Sequence, residues 1–287
     1  MRFIIAYDVL QIFALIIISA ILCTAWFSSS IRRSTTWYSF NFAWLLSCIG
    51  SLLIPGHQTG PLPGHIHCLF QATLVFALPA LNALSFVVLT LDVFLSLSHL
   101  CRRSRTTMMM ILCFVPYGVF TGILIEVLIL GPPPSKCRSQ GTQWIFLFYI
   151  DPGTVGLVVV KSLILSTTEF CRLLITSIIV ICSVVACLIL GVRIGRKCRS
   201  HWMACEILLI RNNTPFGLVL RLGVFGLCSI LSIGLGIIEI FEWNKVFSIS
   251  SAMLPVAVGI IFGSQGDMLH VWMFWRKPLP TPTTATV

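Results

Sequence analysis

The sequence predicts an all-α membrane protein: a seven-transmembrane helix bundle with its N-terminus outside the cell and its C-terminus inside. Three observations predict it. Hydrophobic residues make up 57% of the chain and charged residues only 10%, with a mean hydropathy of +0.99. A soluble domain carries about a quarter charged residues, so this chain has too little polar surface to cover a water-facing globule. Seven apolar stretches approach the roughly 20 residues that a helix needs to cross the hydrocarbon. Finally, lysine and arginine fall unevenly between the connections, as they do when cytosolic loops hold the positive excess.

The seven stretches lie near 8–27, 38–54, 69–99, 108–131, 171–192, 216–241 and 247–265. The first follows only Arg2 as a basic flank and is long for a signal core, so it is expected to be a retained span that also targets the chain. An eighth apolar segment, QWIFLFYIDPGTVGLVVVKSLIL at 143–165, is broken by the turn signal Asp151-Pro152-Gly153. Each half is short and rich in β-branched and aromatic residues, which predicts a β-hairpin over the bundle in the second extracellular loop. Residues 1–265 are thus expected to form the bundle, and 266–287 an interfacial helix with a short disordered cytosolic tail.

Charge placement supports seven spans over eight. With the N-terminus outside, one face receives Arg32, Arg33, Arg102, Arg103, Arg105, the basic residues of 193–199, Arg211, Arg221, Arg276 and Lys277, which are 13 of the 19 basic residues. An eighth span would carry the run RIGRKCR to the outside. The sequon Asn212-Asn213-Thr214 then faces the cytosol and stays bare.

Asn82, Ser85, Leu89, Asp92, Ser96 and His99 recur at spacings of three and four, which puts them on one face of the third helix. Polar groups in hydrocarbon are costly unless they face partners or water within a bundle, so this stripe is expected to point inward. Asn82, Asp92 and His99 are candidate switch residues. Asp92 can equally be a structural acid hydrogen-bonded to a neighbouring helix, and the sequence leaves both readings open.

The segment before the first span is too short for a separate binding domain. Any ligand, small molecule or peptide, would therefore be expected to enter the outer mouth of the bundle, near Gln71, Glu126, Trp144 and Glu239. His65 and His67 lack a third ligand for a metal. The 12 cysteines show no CxxC pair and no zinc spacing, so no metal or other cofactor is expected. After the seventh span, Asp267 can cap a short helix, DMLHVWMFWRKP, whose Leu269, Trp272, Met273 and Trp275 suit the lipid interface.

This architecture resembles a G-protein-coupled receptor. The stretch IIFGSQGDMLHVWMFWRKP is similar to the end of the seventh span in seven-helix receptors of mushroom-forming (basidiomycete) fungi, a group distantly similar to fungal pheromone receptors. The chain departs from the rhodopsin-like pattern. SHLCRRSR lacks the acid of the acidic–Arg–aromatic triplet, the sixth span has no proline, and Pro255 is not part of an Asn-Pro-x-x-Tyr motif. The resemblance implies a plasma-membrane receptor that couples to a heterotrimeric G protein, and it identifies no ligand. It also implies a disulfide between Cys68, outside the third span, and Cys137, in the loop after the fourth. Arg102, Arg103, Arg105 and Arg196 become the expected contacts with the G protein, because arginine's forked donors suit the carboxylate and carbonyls of that partner's carboxyl-terminal helix.

A multi-pass transporter of a small solute is the alternative. It usually brings internal repeats or paired broken helices, and the two halves show no repeat. A membrane enzyme would need a converging nucleophile and base, but Asp92 and His99 are seven residues apart, ~10 Å along a helix axis. Basic residues also anchor the chain to anionic lipid heads, which accounts for the net charge of +10 without nucleic acid. Epitope tags on the two termini should be accessible from opposite sides of the membrane, and Asn212 should run unglycosylated on gels. Tags in one compartment, or sugar on Asn212, would contradict the topology.

Overall fold

Hydrocarbon offers no hydrogen bonds to a peptide group, so an apolar run this long satisfies its backbone by coiling into a helix. The computed structural model describes residues 2–28, 31, 33–53, 65–98, 105–129, 167–200, 215–242 and 247–272. Those residues form eight helices and no strand: α1 (Arg2–Phe27), α2 (Thr35–Leu52), α3 (His65–Ser98), α4 (Arg105–Ile129), α5 (Thr167–Ser200), α6 (Pro215–Glu242), α7 (Phe247–Gly263) and the short α8 (Gly266–Trp272). The hairpin expected at 143–165 lies outside the described residues.

Four helices contain stretches long and apolar enough to cross a membrane: Ile5–Phe27 in α1, Ala77–Leu97 in α3, Thr107–Ile129 in α4 and Ile175–Arg196 in α5. Shorter apolar runs occupy Gly217–Ser232 of α6 and Ala252–Gly263 of α7. The outward side chains agree with a lipid surround. Ile178, Ile181, Val185, Leu188, Ile189 and Val192 of α5 are exposed, as are Ile111, Phe114 and Val115 of α4. The protein is membrane-embedded, and lipid tails are the partner for these faces.

Helix ends overrun the apolar windows. α1 begins at Arg2 and so takes in Tyr7 and Asp8. α5 runs to Ser200, carrying the basic run 193–199 as helix rather than loop. α3 has 34 residues, about 51 Å at the usual rise, against a hydrocarbon layer of about 30 Å. It can therefore display residues at both membrane surfaces.

α3 occupies the middle of the packing and touches α2, α4, α5 and α6. α1 lies against α2, α7 and α8, while α7 joins α6 to α1 and also reaches α2. Between α2, α3, α6 and α7 sits an aromatic core. The Phe86 and Phe225 rings stand 4.9 Å apart edge to face, and Phe40 contacts Phe225 at 5.5 Å and Phe262 at 5.2 Å. Such pairs add about 0.5–1.5 kcal/mol each beyond their burial. Phe40, Phe225 and Phe262 are buried, so this cluster is the waist of the bundle.

Where α1 meets α7, small residues allow close approach. A Cβ built on Gly259 would fall 2.7 Å from Ile17 Cγ2 and 3.3 Å from its Cβ, and one on Gly263 would fall 2.9 Å from Ile21 Cδ1. The four-residue glycine spacing puts both on one face, the arrangement by which membrane helices gain van der Waals contact where lipid removes the usual hydrophobic drive. Gly259→Leu is expected to lower stability by about 1–3 kcal/mol, read as an earlier melting transition in detergent, and Ile17→Ala should recover much of the loss. An unchanged melt in the glycine variant would mean that α1 and α7 do not pack this closely.

Candidate functional site at the α8 end of the bundle

The turn between α1 and α2 carries Arg33 and Ser34, and the first turn of α2 carries Thr36, three polar residues with different tasks. Ser34 caps α2: its hydroxyl accepts from the Trp37 amide at 3.3 Å, satisfying one of the free donors of the first turn. It also lies 2.8 Å from the Thr36 hydroxyl. Thr36 in turn donates to Asp92 Oδ2 at 2.6 Å, and Asp92 is only 6% exposed. A chain of side-chain hydrogen bonds therefore runs from the surface at Ser34 to a carboxylate inside α3. Ser96, one turn further on, donates to the backbone carbonyl of Asp92.

Arg33 stands immediately before the cap. Its guanidinium lies 5.7 Å from the Trp37 ring centre, within cation–π range, and pairs with the carboxylate of Asp267 in α8. Asp267 sits in the first turn of α8 rather than at the capping position expected from the sequence. Arg221 of α6 reaches the same corner and donates through Nη2 to the Ser264 carbonyl at 3.4 Å. Trp272 Nε1 donates to Thr24 Oγ1 at 2.8 Å, and the Tyr38 hydroxyl donates to the Ala25 carbonyl at 2.9 Å. The α1–α2 turn, α3, α6 and the α7–α8 corner are thereby tied together at one end of the bundle.

A second polar group lies toward the other end. Gln11 is 3% exposed in α1, and the Tyr7 hydroxyl is within hydrogen-bonding reach of Gln11 and of Ser51 in α2. Asn82 of α3 donates to the Ser47 hydroxyl of α2 at 3.1 Å. Among the described residues, one oxygen of Asp8 and the side-chain oxygens of Gln11 and Asn82 have no hydrogen-bond donor. The sequence reading missed Tyr7, Asp8 and Gln11 because it began the first span at residue 8 and left Asp8 at the water boundary. Their spacing of three and four was the available signal.

Of the expected switch residues, Asn82 and Asp92 both face α2, while His99 lies outside the described residues. The Thr36 bond matches the structural alternative for Asp92, so a switching role requires that bond to break. Among the expected ligand residues, Gln71 lies early in α3 and Glu239 late in α6, and half-buried Glu126 is in the last turn of α4. By chain direction these three come to the end opposite α8. Trp144 lies outside the described residues. Arg105 opens α4 and Arg196 is exposed near the end of α5, but Arg102 and Arg103 are outside the described residues. So is Cys137, the expected partner of Cys68. Six described cysteines, Cys23, Cys48, Cys113, Cys182, Cys187 and Cys228, are free thiols.

No family model matches the chain, and no curated protein matches it. Its chemistry follows from the arrangement itself: a buried acid tied to a helix cap, next to an exposed aspartate and two half-buried arginines. Thr36→Val should destabilise the fold by about 1–3 kcal/mol, because it removes the donor from a buried acceptor. In an Asp92→Leu background the same change should cost about 1 kcal/mol less, which a double-mutant cycle on detergent melting would measure. Additive losses would mean that the two side chains are not coupled.

Proposed function

We propose that this chain is a seven-span receptor that binds an extracellular small-molecule or peptide ligand at the end opposite α8. It activates a heterotrimeric G protein at the α8 end, which lies in the cytosol of a plasma-membrane protein. The observation that carries this reading is the position of α3. It is the longest membrane-crossing element together with α5, it touches four other helices, and it bears Asn82 and Asp92 on the side facing α2. One helix thus connects the end that holds Gln71, Glu126 and Glu239 to the end that holds Asp92 and the arginines.

The mechanism is a shift between two packings. A ligand that binds the outer end better in one packing raises the population of that packing. At the other end, the change must alter the ties made by Thr36, Arg33 and Arg221, since these join α3 to the start of α2, α8 to the α1–α2 turn and α6 to the α7–α8 corner. A G protein that binds the altered end tightens ligand binding by the same factor, because the coupling is reciprocal. The excess of Lys and Arg among the connections at the α8 end supports its cytosolic placement.

The test is nucleotide exchange on a panel of G-protein α subunits, with the purified chain in lipid nanodiscs. Exchange above the protein-free rate is expected for at least one subunit. Arg102→Ala/Arg103→Ala should reduce it about tenfold, the equivalent of roughly 1.4 kcal/mol of interaction, with the melting transition of the chain unchanged. No exchange on any subunit, together with solute flux into liposomes that contain the chain alone, would replace the receptor with a transporter.

A further inference from the structure

The start of α1, at the end opposite α8, has two unlike faces. Ile5, Val9, Ile12 and Phe13 are exposed, as lipid-facing residues are. Tyr7, Asp8 and Gln11 recur at spacings of three and four, which places them on the other face. Their polar atoms gather around the Tyr7 hydroxyl. It is within hydrogen-bonding reach of Gln11 and of Ser51 in α2, and the Asp8 carboxylate is close enough to act on it electrostatically.

Two acceptors of this group are unfilled. Gln11 is 3% exposed, and its Oε1 has no donor among the described residues. Oδ1 of Asp8 is likewise enclosed and without a donor, and among the described residues the only salt bridge is that of Arg33 and Asp267 at the other end of the bundle. Asp8 as a whole is half-buried, so the group can be reached from the water boundary.

A buried acceptor without a donor is rare in a folded protein, and a carboxylate among apolar helices also needs a counter-charge. The missing partner is therefore positive and brings donors. Water brings as many acceptors as donors. A guanidinium brings five donors in a flat fork, more than these few oxygens can use. A primary ammonium brings three donors, one charge and no acceptor, as a lysine head does. Those three donors match Asp8 Oδ1, Gln11 Oε1 and a hydroxyl lone pair of Tyr7 or Ser51.

We propose that Tyr7, Asp8, Gln11 and Ser51 form a binding site for a primary ammonium group, brought either by a free amine or by the headgroup of an ethanolamine lipid. Asp8 supplies the charge at the water boundary. Gln11, one turn deeper, takes a second N–H, and Ser51 holds the Tyr7 hydroxyl in place beside it. A trimethylammonium group has the same charge but no N–H, so it leaves Gln11 unfilled and is rejected. The site uses none of Gln71, Glu126, Trp144 and Glu239, and it stands whether or not the chain couples to a G protein.

The experiment follows the melting transition of the full chain in phosphatidylcholine nanodiscs at neutral pH while ethanolamine or choline is titrated in. Ethanolamine should raise the transition in a saturable manner, with an affinity about tenfold above that of choline. Sodium chloride at the same ionic strength should not reproduce the rise. Asp8→Asn should weaken ethanolamine about tenfold and Gln11→Leu about threefold. Gln11→Glu keeps the acceptor and adds charge, so it should tighten ethanolamine about threefold, a gain that misfolding cannot produce. Replacing part of the phosphatidylcholine by phosphatidylethanolamine identifies the source. A higher transition that free ethanolamine no longer raises supports the lipid, and an unchanged response supports a free amine. No rise with ethanolamine, an equal rise with choline or sodium, or a Gln11→Glu variant that binds no better would overturn the site.

Discussion

The rest of the structure follows from one constraint: a polar group on a membrane helix has no water to turn to, and must find its partner on its own helix or on a neighbouring one. Thr36 and Asp92 show the result. They lie 56 positions apart, and their 2.6 Å contact fixes both the rotation of α3 and the height of the α2 N-terminus. Asn82 and Ser47 repeat the same contact further along the same two helices. With two such points, α3 has one permitted face toward α2, and its remaining surface is left for α4, α5 and α6. The aromatic core of Phe40, Phe86, Phe225 and Phe262 then fills the space that these polar contacts define.

Much of this was legible in the sequence, because hydropathy reports the solvent of each segment directly. Each of the seven expected stretches became a helix with nearly the expected centre, and four of those helices are long and apolar enough to cross a membrane. The ends moved for a physical reason. Hydropathy falls where a helix leaves the hydrocarbon, but the backbone continues to coil wherever its own hydrogen bonds are better than those of a loop. α5 therefore runs through the basic residues 193–199, and α1 starts early enough to enclose Asp8. Asp267 moved from cap to first turn because its carboxylate serves Arg33 rather than the backbone of α8.

The candidate site was legible only in part. Asn82 and Asp92 stood out because a polar residue at helical spacing inside an apolar run is rare. Their partners did not, since Ser47 and Thr36 are unremarkable residues whose importance comes from which helix lies opposite. Arg33 and Arg221 had been counted merely as charges that orient the chain. What distinguishes them from the other arginines is a meeting of three segments at one corner, and periodicity within a segment carries no record of such a meeting. Gln265 was invisible for the same reason, as nothing in the run GSQGD announces that its amide is almost wholly enclosed.

The close fit of Gly259 and Gly263 against Ile17 and Ile21, with Trp272 fastened to Thr24, makes α1 depend on α7 and α8, which are made much later than it. During translation α1 can settle on α2 at once, but its other flank waits for α7 to emerge. The ring of helices is closed by α7, in the manner of a keystone. A chain halted before α7 would present that flank to the lipid, where quality-control proteases that patrol the bilayer could recognise an unfinished protein.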